Sequence, residues 1–297
     1  MNAELPRPAA IVTDSLSAAD PSLREQLSGA LMYAYVTGIE PAATREDKIT
    51  SLAVVDALLA GKKVGTSAPN PEEIKAIYQA QPEDKDIVHI CPSRKVSGWY
   101  EQALAARGEL NRKIEIVDVS ASAGTGLYIG EALRLAREGK GADAIIEELH
   151  AFEKRVFVLS LVHDPKYLDA GGRAQQALAK AASLLGMKVL VDPGIREEPT
   201  IPRRDRTRSK VFEQMIGLIQ EDGRPIDHIS FGWSENGTSA QGPLRTVDPV
   251  AEAGVLWERL GKQREGATQT IFKLSPAAVV HVGPGNMSAA ILMREPS

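Results

Sequence analysis

The chain has 297 residues, of which 43% are apolar and 25% are charged, as expected for a globular protein with a large buried core. Its net charge of −4 argues against a nucleic-acid-binding protein, which normally carries a basic domain. The single cysteine, Cys91, excludes an intrachain disulfide framework and a multi-cysteine zinc site. No apolar run is long enough to span a bilayer and no signal-peptide pattern stands at the start, so we expect a cytoplasmic protein without stable membrane insertion.

In the first half of the chain, apolar runs with strand character alternate with helical patterns. The predicted strands are residues 9–13, 31–36, 86–91 and 113–118. The predicted helices are residues 22–27, a segment capped by Thr44, and residues 97–106, 122–138 and 142–152. This alternation predicts βαβ units around a mostly parallel sheet.

One stretch of this half contains polar groups that could bind an anion. Gly65-Thr66-Ser67 is predicted as a strand end with two hydroxyl side chains, and Asn70-Pro71 is predicted as a helix start. Hydroxyls and free helical amides can converge on an anion at such a junction. Alternatively, Asn70 is a plain N-cap with proline at the first helical position.

The second half has a different texture, with more strands than helices. The predicted strands are residues 156–162, 187–191, 226–231, 269–274, 278–281 and 289–292. The predicted helices are residues 172–185, 207–220 and 249–260, with a long charged loop at 193–205. We therefore predict an N-terminal α/β domain (residues 1–153) and a C-terminal α+β domain with a mixed sheet (residues 154–297), with a ligand site between them.

Two enzymatic readings are weak on the residues alone. The glycines of residues 122–130 resemble a relaxed dinucleotide fingerprint, but no following strand ends in an acidic residue, so close helix–sheet packing explains them better. A serine hydrolase could draw on Ser67, Ser97 or Ser239 with a histidine, yet there is no Gly-x-Ser-x-Gly elbow. His281 is predicted to end an apolar strand before a tight glycine–proline loop, which would hold its imidazole in place.

The dense basic run at residues 203–210 is by default a solvated face. Its place at a loop-to-helix junction also suits an anion or an acidic partner surface. It is too short, in too acidic a chain, to indicate DNA binding.

Seven short motifs, in order, resemble those of one family over nearly the whole chain. They are Ile11-Val12-Thr13-Asp14-Ser15, Thr66-Ser67-Ala68-Pro69, the Ser93–Tyr100 stretch, Ala121-Ser122-Ala123-Gly124, Tyr167-Leu168-Asp169-Ala170-Gly171-Gly172-Arg173, Arg206-Thr207-Arg208 and His281-Val282-Gly283-Pro284-Gly285. The chain thereby resembles the DegV family of bacterial fatty-acid-binding proteins. The resemblance implies two α/β domains with one buried fatty acid between them.

The resemblance also implies which residues hold the ligand. The carboxylate-binding residues would be Thr66, Ser67, Ser97, Gly98, His281, Arg206 and Arg173. In relatives that use exogenous fatty acids, the loaded protein presents the carboxyl group to a separate fatty acid kinase, which phosphorylates it with ATP. The resemblance therefore implies a lipid-binding carrier that is not itself an enzyme, with no catalytic residue, metal or cofactor beyond the bound long-chain fatty acid.

Three positions depart from the family pattern. Val280 and Val282 stand where threonine is usual on either side of the histidine, and Trp99 replaces a threonine after Ser97-Gly98. The valines remove hydroxyl ligands, and the tryptophan is expected to bring a bulky ring near the head-group site. Two alternatives therefore stay open: a binding module for another small organic acid, and a hydrolase using Ser97 or Ser67 with His281.

Overall fold

The computed structural model describes residues 7–16, 20–27, 29–40, 43–108, 110–119, 123–171, 186–194, 199–238 and 242–295. Strands in these ranges form a four-stranded, a three-stranded and a six-stranded sheet. The described α-helices are α1 (Pro21–Gln26), α2 (Ser51–Leu59), α3 (Pro71–Gln79), α4 (Trp99–Arg107), α5 (Ala123–Arg137), α6 (Ala142–Phe152), α7 (Arg208–Asp222), α8 (Pro249–Arg259) and α9 (Pro276–Val282). The helix predicted over residues 172–185 lies outside the described residues.

The first sheet is fully parallel, as the alternation of strands and helices predicts. Its strands are β1 (Ala9–Asp14), β2 (Leu31–Met32), β6 (Asp86–Pro92) and β7 (Ile114–Val119), in the order β2-β1-β6-β7. The central strand β6 is buried from Ile87 to Pro92. A parallel strand covered by helices on both faces reads as a continuous apolar run, which is why the sequence indicates it clearly.

A small antiparallel sheet, which the sequence analysis misses, stands beside the first. It contains β3 (Tyr35–Thr37), β4 (Thr44–Arg45) and β5 (Gly65–Ser67), in the order β4-β3-β5. The strand predicted at residues 31–36 is therefore divided between two sheets. The prediction that Thr44 caps a helix is wrong: Thr44 lies in β4, and Thr50 caps α2 by accepting a hydrogen bond from the Ala53 amide.

The sheet of the second half is mixed, as predicted. Its strands are β8 (Val156–Val162), β9 (Lys188–Asp192), β10 (Thr200–Asp205), β11 (Ile226–Trp233), β12 (Thr268–Lys273) and β13 (Met287–Met293). They stand in the order β10-β9-β8-β13-β11-β12; the pair β11–β12 is parallel and the other described pairs are antiparallel. Strand β10 occupies the end of the segment predicted as a loop at 193–205.

Alternate residues of this sheet face two different layers. Ile229, Phe231 and Ile291 pack with residues of α7 and α8 in one apolar core. Val158, Ala290 and Phe272 face the other way and join the core of the N-terminal half. Helix α5 contacts β8, β11 and β13, so it lies between the two halves of the chain. The domain boundary after residue 153 stays a prediction.

Within the described ranges, the helices are too short or too polar to cross a bilayer.

Candidate ligand site

The hydroxyls of Thr66 and Ser67 lie on strand β5, just before the start of helix α3. Asn70 accepts a hydrogen bond from the Glu73 amide (3.0 Å), and Glu73 accepts one from the Asn70 amide (2.9 Å). This reciprocal capping box, with Pro71 at the first helical position, confirms the plain helix start. The Asn70 cap thus uses its oxygen within the helix rather than on a ligand.

Thr66 is paired with the last turn of α9. Its Oγ1 lies 2.9 Å from Nε2 of His281, across 215 positions of sequence. Ser67 is exposed, and because successive strand residues point to opposite faces it lies on the other side of β5. The structure therefore brings Thr66 and His281 together; the role of Ser67 stays a prediction.

His281 lies on a helix, so the strand predicted at residues 278–281 is wrong. Ser275 accepts a hydrogen bond from the Ala278 amide and Pro276 holds the first helical position. This serine–proline start decides the conformation, because a four-residue apolar run fits a buried helix as well as a strand. Gly283, at φ +72°, ends the helix and its amide donates to the Val279 carbonyl.

The imidazole of His281 is neutral in the unliganded protein. Burial lowers the pKa of His281 to about 4, since removing the ring from water penalises the charged form. Its position in the last turn of a helix, which would favour a cation, is outweighed. A neutral imidazole has one N–H donor and one acceptor, so it can exchange hydrogen bonds with the Thr66 hydroxyl and a ligand.

The loop after His281 is fixed by close contacts. A side chain at Gly283 would place its Cβ 2.2 Å from Cδ2 of Tyr167, so only glycine fits against that ring. Ser234 donates a hydrogen bond to the Gly283 carbonyl (2.7 Å) and accepts one from the Asn286 amide (2.9 Å). Tyr167 therefore supports the histidine loop, a contribution that its motif gives no means of recognising.

The other end of α9 is tied to the N-terminal half by Glu46. Its Oε2 accepts a hydrogen bond from the Ala277 amide (3.0 Å), and its side chain is 1% exposed. Nearby, Ser51 donates to the Leu274 carbonyl (2.8 Å). Burial raises the pKa of Glu46, although hydrogen bonds from Ser15 and the Ala277 amide oppose the shift. The sequence does not single out Glu46, because one glutamate after a short strand gives no indication of a contact with a residue 231 positions away.

Ser97 and Gly98 form the turn that leads into α4. Ser97 accepts a hydrogen bond from the Trp99 amide (3.4 Å), and Gly98 is the N-cap. Among the residues that the structure describes, neither bonds to Thr66 or His281, so their part in ligand binding stays a prediction. Trp99 is 1% exposed, and its large ring fills volume in the N-terminal core.

Of the two arginines in the predicted head-group set, only Arg206 lies within the described residues. Arg206 is exposed in the turn between β10 and α7, and its side chain makes no hydrogen bond or ion pair within the described ranges. Arg173 lies outside the described residues, as does Ser239. In the same basic run, Arg208 binds Glu252 through two contacts of 2.7 and 2.6 Å, so that residue has a structural role.

Comparison with known proteins decides the family. A family model described as the uncharacterised DegV protein family matches residues 8–294. The chain belongs to the DegV family. This confirms the resemblance drawn from the motifs, and the α/β fold class is confirmed with it.

Relatives of the DegV chain cover nearly its whole length. A DegV domain-containing protein of Halalkalibacterium halodurans is 24% identical over 285 residues, which is 94% of this chain and 96% of the relative. A protein of Thermotoga maritima named fatty acid-binding protein is 29% identical over 249 residues, 80% of each chain.

Solved structures share the DegV fold. A DegV family protein from Thermus thermophilus, described by its fatty acid binding, is 26% identical with a TM-score of 0.80, covering 97% of this chain and 100% of that one. A DegV lipid binding protein from Thermotoga maritima has the same TM-score of 0.80 at 21% identity, covering 98% and 100%.

Proposed function

We propose that this DegV protein is a cytoplasmic carrier that binds one long-chain fatty acid and presents its carboxyl group to a separate fatty acid kinase. The observation that carries the proposal is the 2.9 Å contact between Thr66 Oγ1 and His281 Nε2. It joins a donor-rich pair from distant parts of a chain whose relatives include proteins described as fatty-acid-binding.

The head-group chemistry suits a carboxylate. A hydroxyl and an imidazole N–H both donate to carboxylate oxygens, and hydrogen bonds to a charged acceptor are stronger than neutral ones. The neutral state of His281 avoids the desolvation penalty of a permanently buried ion pair. A bound carboxylate would in turn favour protonation of His281, because an opposite charge within a few ångströms stabilises the charged ring.

The hydrocarbon tail would occupy a cavity beside α5. A cavity of about 280 Å³ lies between α5 and the six-stranded sheet, with apolar walls formed by Leu23, Leu127, Phe152, Phe272 and Leu292. Burying each methylene stabilises the complex by roughly 0.8 kcal/mol. A chain of about 16 carbons therefore gains on the order of 10 kcal/mol before the entropic cost of association.

A binding role without catalysis fits the surroundings of His281. A hydrolase needs an acidic residue that orients the histidine. In the described part of the chain, no carboxylate lies within hydrogen-bond distance of His281, whose partner is Thr66. Exposed Arg206, a member of the predicted head-group set, would offer a positive charge to the acyl carboxylate or to an acidic kinase surface.

The test is recovery of the ligand from the purified protein. Native mass spectrometry, followed by denaturation and lipid analysis, is expected to show one acyl chain per protein molecule. Addition of ATP and a bacterial fatty acid kinase should then convert the bound acid to an acyl phosphate. Recovery of a different small organic acid would support the alternative binding module, while esterase turnover that is lost in Ser97→Ala would establish a hydrolase.

A further inference from the structure

A polar cluster lines the cavity beside α5. Nδ1 of His228 lies 2.7 Å from the Thr268 hydroxyl, and Nε2 lies 3.1 Å from the Ser230 hydroxyl. The Thr270 hydroxyl joins them, 3.1 Å from Ser230 and 3.3 Å from His228. We call these four residues the distal cluster.

The pairing of β11 and β12 places the distal cluster on one face of the sheet. His228 is opposite Thr268, and Ser230 is opposite Thr270, so all four side chains point the same way. The same face continues into Phe272, and Leu292 on β13 stands beside His228. His228, Ser230 and Thr270 thus contribute polar atoms to a cavity whose other walls are largely apolar.

The distal cluster lies toward the opposite end of the six-stranded sheet from the loop that follows His281. The loop after His281 enters β13 at Met287, opposite Trp233, whereas His228 is opposite Leu292. Five strand residues separate these positions, which corresponds to ~17 Å at the usual rise per residue. An acyl chain whose carboxylate contacts His281 and whose tail enters this cavity would therefore have its methyl end near the distal cluster.

The cluster still has hydrogen-bonding capacity for a ligand. The two contacts of His228 Nε2 share one donor or acceptor site of the neutral imidazole, so the cluster forms three hydrogen bonds and keeps one hydroxyl proton and unused hydroxyl lone pairs for a ligand. Thr268 is exposed to solvent, but a purely hydrocarbon tail would leave the lone pairs of buried Ser230 and half-buried Thr270 facing apolar atoms, which is unfavourable. A tail that carries an O–H group would donate to them.

Charge limits the polar group to a neutral one. Asp20 and Glu131 also line the cavity; Glu131 is ion-paired with Arg134 (2.6 Å), so it is mainly the Asp20 carboxylate that would repel a second carboxylate there. Burial lowers the pKa of His228, which disfavours the charged ring that a second carboxylate would need as its counter-ion. The distal cluster matches an alcohol rather than a dicarboxylic acid.

We propose that this cavity selects long-chain fatty acids that carry a hydroxyl group toward the methyl end. The inference rests on the proposed function, because the carboxylate end must occupy the Thr66–His281 pair. It adds a second recognition site, which contacts the acyl chain of the fatty acid rather than its carboxylate.

The experiment compares hexadecanoic acid with ω-hydroxyhexadecanoic acid by calorimetric titration of the delipidated full-length protein. The hydroxy acid is expected to bind about fivefold to tenfold more tightly, the value of one buried hydrogen bond. In the double variant Ser230→Ala/Thr270→Val this preference disappears while hexadecanoic acid binds at least as well. Ile271→Thr, on the opposite face of β12 and 43% exposed, is the matched control and should keep the preference.

The outcomes separate the two proposals. Binding of hexadecanoic acid with no preference for the hydroxy acid, or a preference that survives the double variant, overturns this inference alone. Tighter binding of hexadecanedioic acid than of the hydroxy acid also overturns it. Failure of every acid to bind overturns the proposed function together with the inference.

Discussion

Oγ1 of Thr66 and Nε2 of His281 lie 2.9 Å apart although 215 residues separate them in sequence. The contact joins strand β5 of the small antiparallel sheet to helix α9, which follows β12 and precedes β13 in the sequence. It is the point at which a carboxylate would meet a hydroxyl and an imidazole at once.

Substitution of Thr66 by valine should weaken fatty-acid binding. Valine keeps the β-branched shape that suits strand β5 but removes the hydroxyl. Loss of a hydrogen bond to a charged acceptor corresponds to about 1.5–3 kcal/mol, or roughly a tenfold to hundredfold rise in Kd. Titration with hexadecanoic acid measures it. Thr37→Val, in the neighbouring strand of the same sheet, is the control; equal effects of the two changes would remove Thr66 from the site.

Substitution of Gly283 by alanine should destabilise the protein and loosen the histidine loop. The new Cβ would lie 2.2 Å from the Tyr167 ring and the backbone has φ +72°. Gly223→Ala is the comparison: Gly223 has the same φ of +72° with open space around the added Cβ, although its ψ of −12° is less strained for alanine than the −173° of Gly283. Urea unfolding should show a loss for Gly283→Ala that exceeds the loss for Gly223→Ala by about 1–3 kcal/mol. Equal losses would show that Tyr167 moves aside freely.

Glu46 should control how firmly α9 is attached. Glu46→Ala leaves the Ala277 amide buried without its partner, at a cost of about 1–3 kcal/mol in the free energy of unfolding. Glu46→Gln keeps an acceptor and does not titrate. Because burial raises the pKa of Glu46, the wild-type carboxyl contributes stability below its unfolded pKa and loses it as pH rises. Glu46→Gln should therefore gain on the wild type with rising pH in thermal unfolding, and a falling difference would refute this assignment.

His89 should make the protein sensitive to acid. It is fully buried, its Nδ1 lies 2.6 Å from the Tyr78 hydroxyl, and burial lowers its pKa to about 3. A folded pKa below the unfolded value of about 6.5 gives stability that is present above pH 6.5 and lost as pH falls toward 3. Between about pH 7 and about pH 5 the loss from this group is about 2 kcal/mol.

The measurement for His89 is urea unfolding of the wild type and His89→Gln at several pH values. The variant should lose less stability than the wild type over this interval, whatever its absolute stability. Parallel curves for the two proteins would show that His89 is not the titrating group.

The sequence predicts some elements of the fold well because their signals are local. Asn70, Pro71 and Glu73 mark the start of α3 by themselves, and the apolar run of β6 needs no partner to be recognised. The segment at 276–282 fails because four apolar residues fit either conformation, and the contact with Glu46 that anchors the helix is distant in sequence.

The candidate site follows the same division. Thr66 and His281 are predicted to bind the ligand from a resemblance of motifs, since no spacing rule connects positions 215 residues apart. Tyr167 and Gly283 are both within recognised motifs, yet only the packing shows that one supports the other. The sequence does not reveal the distal cluster, because the contacts among its residues depend on the parallel register of β11 and β12.

The most direct test of the central claim is an NMR spectrum of hexadecanoic acid, labelled at its carboxyl carbon, bound to the protein. We predict one bound carboxyl resonance whose chemical shift changes in both Thr66→Val and His281→Ala, because each removes a donor from the carboxylate. We also predict that Thr37→Val leaves the resonance unchanged. A bound acid whose carboxyl resonance is the same in all four proteins would contradict the account.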